Sequence, residues 1–173
     1  MERKTGPTLT KDQSGLLKYW VSKCRDGKMP VRRDVTPADL IFCLPSISIV
    51  EHRTCGNFVF RMTGSALREI LGVESRGHKL KDICGHSIPW HESLNQAVST
   101  KSPVLGQTPI ASPRVHSWMR LPLQTMDDGC QPILCYDRIE VVEARAFPRR
   151  ETMFVTANAF RRGRARIEAR SVA

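Results

Sequence analysis

The sequence is short of acidic residues, of aromatics and of any long apolar run. Asp and Glu number 17 against 27 Lys and Arg, and Phe, Trp and Tyr together make up 6% of the 173 residues. The longest apolar run, Leu40 to Leu44, falls far below the roughly 20 residues a bilayer-spanning helix needs. No C-x-x-C pair occurs among the six cysteines, Cys24, Cys43, Cys55, Cys84, Cys130 and Cys135, which removes the common zinc and redox frameworks. The opening residues Met1 to Pro7 contain no apolar stretch, so the sequence reads as lacking a secretory leader. A cytoplasmic protein with reduced thiols is therefore expected, most of them small buried hydrophobes. P-loop, G-x-S-x-G, H-E-x-x-H and G-x-G-x-x-G motifs are all missing, and the acid pair Asp127-Asp128 sits where a turn favours Asp. The expectation is a protein that is not an enzyme.

What is present is an ordinary globular composition, 40% hydrophobic and 25% charged, of a length that fits one domain. The formal charge of +10 is unevenly placed. Residues 1–33 carry nine basic and three acidic side chains, residues 145–173 carry eight and two, and the middle carries ten and twelve. The chain thus divides into a basic N-terminal helix and linker (1–33), a near-neutral domain (34–143) and a basic arginine-rich tail (144–173). Arg149-Arg150 and the run from Arg161 to Arg166 have a charge density that neutralises phosphates, so a nucleic-acid-associated role for the basic termini is one alternative. The other reading of the tail is a solvated segment, with Phe154, Val155 and Phe160 available to dock as an extra strand or helix.

Periodicity orders the elements. Thr8 or Thr10 caps a first helix carrying Leu16, Leu17, Tyr19, Trp20 and Cys24. A short capped turn at Thr36-Pro37 stops at Pro45. Ser46–Glu51 and Asn57–Thr63 then alternate as two strands about a turn at Thr54–Asn57. Short helices follow from Ser65 to Gly72, around Leu80–Ile83 and from Ser87 to Thr100. Three strands close the domain at Val104–Ala111, Val115–Gln124 and Pro132–Glu143, the last two joined by Asp127-Asp128-Gly129. Strands grouped at both ends of a helical block imply an α+β fold with an antiparallel sheet.

That order, with the residues at its joints, resembles a PAS domain. Phe58 to Gly72, followed by Arg76-Gly-His-Lys-Leu-Lys-Asp-Ile83, is similar to the second PAS strand, its following helix and an "L-G … G-x-x-L-x-D-L" stretch. The resemblance is nearer to a bacterial single-domain branch with an aromatic pair on the first helix (Tyr19-Trp20). Its other marks are a G-x-x-P-x-R segment (Gly27 to Arg32), a D-x-x-P turn (Asp34 to Pro37) and Leu44-Pro45. Arg61-Met62-Thr63-Gly64-Ser65, Leu121-Pro122-Leu123 and Asp127-Asp128-Gly129 complete the set. It spans about residues 16 to 142. The resemblance implies about five strands with short helices laid over one face, and a pocket between them for a small molecule or a protein contact. It implies a sensory or adaptor role in bacterial signal transduction, with a protein signalling partner and self-pairing through the first helix.

The candidate pocket residues are Phe60, Met62, Leu67, Ile70, Leu71, Trp90, Leu94, Ile133 and Cys135, which equally describe an apolar core. Trp118, between charged His116 and Arg120, is expected on an outer face. Arg61 is a candidate anion contact, or else a partner of a neighbouring carboxylate. Leu17 and Tyr19 flank the Leu16-Trp20-Cys24 stripe and are the candidate dimer contacts, the alternative being that they fold over the sheet within one chain. His78, Cys84, His86 and His91 offer metal or haem ligands, but their spacing matches no established pattern, so no metal is expected there. No cofactor is indicated.

Overall fold

The computed structural model describes residues 9–83, 90–148 and 152–155. Helix α1 (Lys11–Lys23) begins where the sequence supplies a reciprocal cap: Thr10 Oγ1 accepts from the Gln13 amide and Gln13 Oε1 from the Thr10 amide. Its apolar side, Leu16, Leu17 and Trp20, is buried, and the Trp20 indole donates to the Pro122 carbonyl at 2.9 Å. Short 3-10 turns at Pro37–Leu40 and Leu44–Ser46 lead into strand β1 (Ile47–His52) and strand β2 (Phe58–Thr63). Then come α2 (Ser65–Leu71), α3 (Leu80–Ile83), α4 (Trp90–Thr100), β3 (Val104–Ala111), β4 (Arg114–Pro122), β5 (Gln131–Val141) and β6 (Thr152–Val155).

The strands form one sheet in the order β2-β1-β5-β4-β3-β6, with every neighbouring pair antiparallel. The α+β arrangement is as expected, with one strand beyond the expected five. The sixth comes from the C-terminal segment: β6 pairs with β3, and Met153 packs on Val104, Trp118 and Ala97. Gly106 makes that pairing feasible, because a Cβ there would overlap the Thr152 carbonyl and the Trp118 ring.

Alternation along the strands sends side chains to two separate cores. On one face Leu16, Leu17 and Trp20 of α1 cover Ile47, Ile49, Leu105, Met119, Leu121, Leu134 and Tyr136. On the other, α2, α3 and α4 cover Val50, Phe58, Phe60, Ile133 and Cys135. The first helix is thus spent on its own sheet. Leu17 is 3% exposed, and the Tyr19 hydroxyl donates to the Asp34 carbonyl and accepts from the Thr36 amide. The expectation that Leu17 and Tyr19 project toward a partner is corrected: α1 buries more than one stripe because the 3-10 turn and linker wrap its flank.

Candidate functional site

The helix-covered face is where the strands deliver chemistry as well as bulk. Residues of one parity on β4 (His116, Trp118, Arg120) and β5 (Ile133, Cys135, Asp137) point under α4, and register sets Trp118 opposite Asp137 and Arg120 opposite Cys135. The Asp137 carboxylate therefore lies diagonally between a guanidinium and an imidazole. Arg120 engages it in bidentate fashion, Nη1 to Oδ2 at 3.0 Å and Nη2 to Oδ1 at 2.9 Å, while His116 Nε2 meets Oδ1 at 2.8 Å. All three side chains are 1% exposed.

Such a buried cation requires more than one carboxylate, and α4 and the strand backbones supply the rest. Arg120 Nη1 also donates to the Met119 and Tyr136 carbonyls, and Nε donates to Ser93 Oγ, which itself donates to the Trp90 carbonyl. The guanidinium carbon lies 4.0 Å from the Trp90 ring centroid and 5.3 Å from that of Trp118, so both indole faces stabilise its charge. Phe60 meets Trp90 edge-on at 5.6 Å, and the Trp118 indole donates to Thr108 Oγ1 at 3.1 Å. Two polar atoms, His116 Nδ1 and Trp90 Nε1, are buried without a hydrogen-bond partner among the described residues. Beside them, burial pushes the Cys135 thiol up to about 12, so it stays protonated and behaves as a small apolar group.

A family model described as a PAS domain matches residues 10–126, more than half of the chain. The chain belongs to the PAS-domain family. No curated protein matches it. A PAS domain is in general a sensory or signalling module, and this one carries its charged cluster between the sheet and the short helices. Among the described residues, no helix is long and apolar enough to cross a membrane.

The PAS interior gathers six of the nine residues expected to line a pocket, Phe60, Leu67, Trp90, Leu94, Ile133 and Cys135, with Leu71 at its rim. Met62 does not join them. Ile49 pairs with Met62 but Val50 pairs with Phe60, so Arg61 is an extra residue and the bulge turns Met62 toward the α1 face. Ile70 also lies outside the cluster, in a groove beside Phe42 and Arg138. The outer placement expected of Trp118 is overturned: it is fully buried under α4, because its neighbour Arg120 faces inward too. Arg61 is half-exposed and pairs with Glu51 at 2.9 Å, the carboxylate reading of that residue.

Of the suggested metal ligands, Cys84 and His86 lie outside the described residues, as do Arg149, Arg150, Phe160 and the arginines of 161–166. His78 and His91 are exposed, His91 with its ring 6.0 Å from Phe58. Among the described residues, no three His, Cys, Asp or Glu side chains gather to hold a metal. The residues missed from sequence were His116, Arg120, Asp137 and Ser93. Their signal was parity: in β5, Asp137 continues the inward series of Ile133 and Cys135, a charge where a hydrophobe belongs.

Proposed function

We propose that this PAS domain is a cytosolic sensory or adaptor module of bacterial signal transduction that acts by contact with a protein partner rather than by catalysis. The observation that carries this reading is the state of the helix-side interior. Trp90, Trp118, Phe60 and the Arg120–Asp137 pair fill the space under α4, each at most 1% exposed. A pair locked bidentately and stacked between indoles couples α4 to β4 and β5 as one unit, so a push on the helix reaches the sheet.

Contact surface is available elsewhere. Ile41 and Phe42, adjacent in sequence, are 71% and 50% exposed, and they are the natural seat for a protein partner or a second copy, since Leu17 is buried and the Tyr19 hydroxyl is engaged within its own chain. Native mass spectrometry of freshly purified protein tests the interior. The expected species holds nothing that depends on Trp90. A retained molecule lost on Trp90→Ala replacement would overturn the contact-only reading. Sedimentation tests self-pairing: a dimer at about tens of micromolar converted to a folded monomer by Ile41→Glu with Phe42→Glu is expected, and a monomeric parent protein refutes it.

A further inference from the structure

The sheet face opposite the Arg120 cluster holds a second feature, a cavity of about 450 Å³ between the start of α1 and the sheet. Its walls come from four elements: Gln13 of α1 with its cap Thr10, Leu105 and Gln107 of β3, Glu140 of β5, and Thr152 of β6. The volume lies within the range of about 300–1,000 Å³ typical of small-molecule sites. Helix α1 is seated on the sheet through Leu16, Leu17 and Trp20, and the cavity lies at its N-terminal end, where Leu9, Thr10 and Gln13 line it.

Thr10 and Gln13 are tied to each other and Thr152 to the Gln107 backbone, while one side-chain relay at this cavity ends on a carboxylate. Glu140 Oε2 accepts from Ser117 Oγ, and Ser117 Oγ in turn accepts from Gln107 Nε2 at 3.3 Å. That chain holds the carboxylate in place, and Arg138 acts on it through space without a direct ion pair among the described residues. Among the described residues Glu140 has no ion-pair partner, and Arg138, two residues earlier on the same strand face, is turned to Asp12 at 2.9 Å. The result is a half-buried carboxylate, fixed by Ser117 and set beside the apolar Leu9, Leu105 and Val142, with no direct ion pair among the described residues.

From this geometry we infer that the α1-side cavity is a binding site for a small organic cation, an ammonium or amidinium group joined to an apolar body. The cationic head meets Glu140 in a charge-assisted hydrogen bond, and the apolar body lies on Leu105 and Val142. Val142, Ala146 and Thr152 all lie beyond residue 126, so the site is completed by the part of the chain outside the family match. A bound cation touches α1, β5 and β6 at once and holds β6 against β3. The inference does not depend on the partner-contact reading, since it rests on Glu140 and the walls of this cavity and not on Ile41 and Phe42.

The test uses the full chain and three probes that share a phenethyl body: phenethylamine, phenethyl alcohol and hydrocinnamate. Calorimetric titration is expected to give saturable binding of phenethylamine, weaker binding of the alcohol and none of the carboxylate. Glu140→Gln is expected to weaken phenethylamine by at least about tenfold, the scale of one charge-assisted contact. Ala146→Trp, which keeps the carboxylate but fills the mouth of the cavity, serves as a second variant and is expected to abolish binding. Amide-proton spectra should show shifts at Gln13, Gln107 and Glu140. No saturable binding of phenethylamine, equal binding of the three probes, an unchanged affinity in both variants, or shifts confined to the Trp90 and Trp118 indoles would each overturn the inference.

Discussion

Truncating Asp137 to Ala isolates Arg120 in the interior. The guanidinium keeps the Met119 and Tyr136 carbonyls, the Ser93 hydroxyl and two indole faces, but loses both carboxylate contacts, and His116 loses its Nε2 partner. Breaking a buried ion pair from one side costs about 3–5 kcal/mol, because the remaining charge stays desolvated. For a chain of this size that lowers the melting temperature by about 6–20 °C. The Coulomb attraction alone does not set the figure, since forming the pair also desolvated both ions. Arg120→Met combined with Asp137→Asn removes the stranded cation and keeps a neutral partner for His116, so it should recover about 2 kcal/mol or more of the loss. Urea unfolding followed by tryptophan fluorescence and far-ultraviolet circular dichroism measures both variants, coincident transitions confirming two-state behaviour. A loss below about 1 kcal/mol for Asp137→Ala, or a double variant no more stable than the single, refutes the account of the pair as a coupled buried charge.

Gly106→Ala should cost about 1–3 kcal/mol and expose β6 amides to hydrogen exchange, since the new methyl displaces either Trp118 or the Thr152 backbone; unchanged protection of β6 would contradict this. Burial raises Cys24 to about 11 and Cys43, Cys135 and Tyr136 to about 12. The stability these groups contribute is full below their unfolded values and is lost as pH rises from about 9 toward 12. The urea midpoint should accordingly fall between about pH 8 and pH 10.5, and a flat profile refutes it. Hydrogen bonds from the Asn57 backbone and side chain, with Lys79 nearby, lower the exposed Cys55 thiol. Iodoacetamide at neutral pH should label Cys55 before Cys24, Cys43, Cys130 or Cys135, and equal labelling of Cys43 or Cys135 by mass spectrometry would show otherwise.

Local chemistry determined the elements. The Thr10–Gln13 cap, the Pro37 and Pro45 punctuation, the turn at residues 53–57 and the alternation of β4 and β5 act over a few residues, so they are legible in the chain itself. The antiparallel α+β class followed from their order, and with it most of the helix-side core. Tertiary structure alone decided three things. The bulge at Arg61 reversed the face of Met62, because register is an agreement between two strands and is not encoded in one. The first helix buried Leu17 on its own sheet and tied the half-buried Tyr19 to the Asp34–Thr36 linker, because a helix with more than one apolar stripe gives no sign of which surface covers each. The charged residues of β4 and β5 turned inward together. A lone Arg120 or Asp137 in sequence reads as solvent-facing, and only the diagonal placement across two paired strands makes their joint burial tolerable.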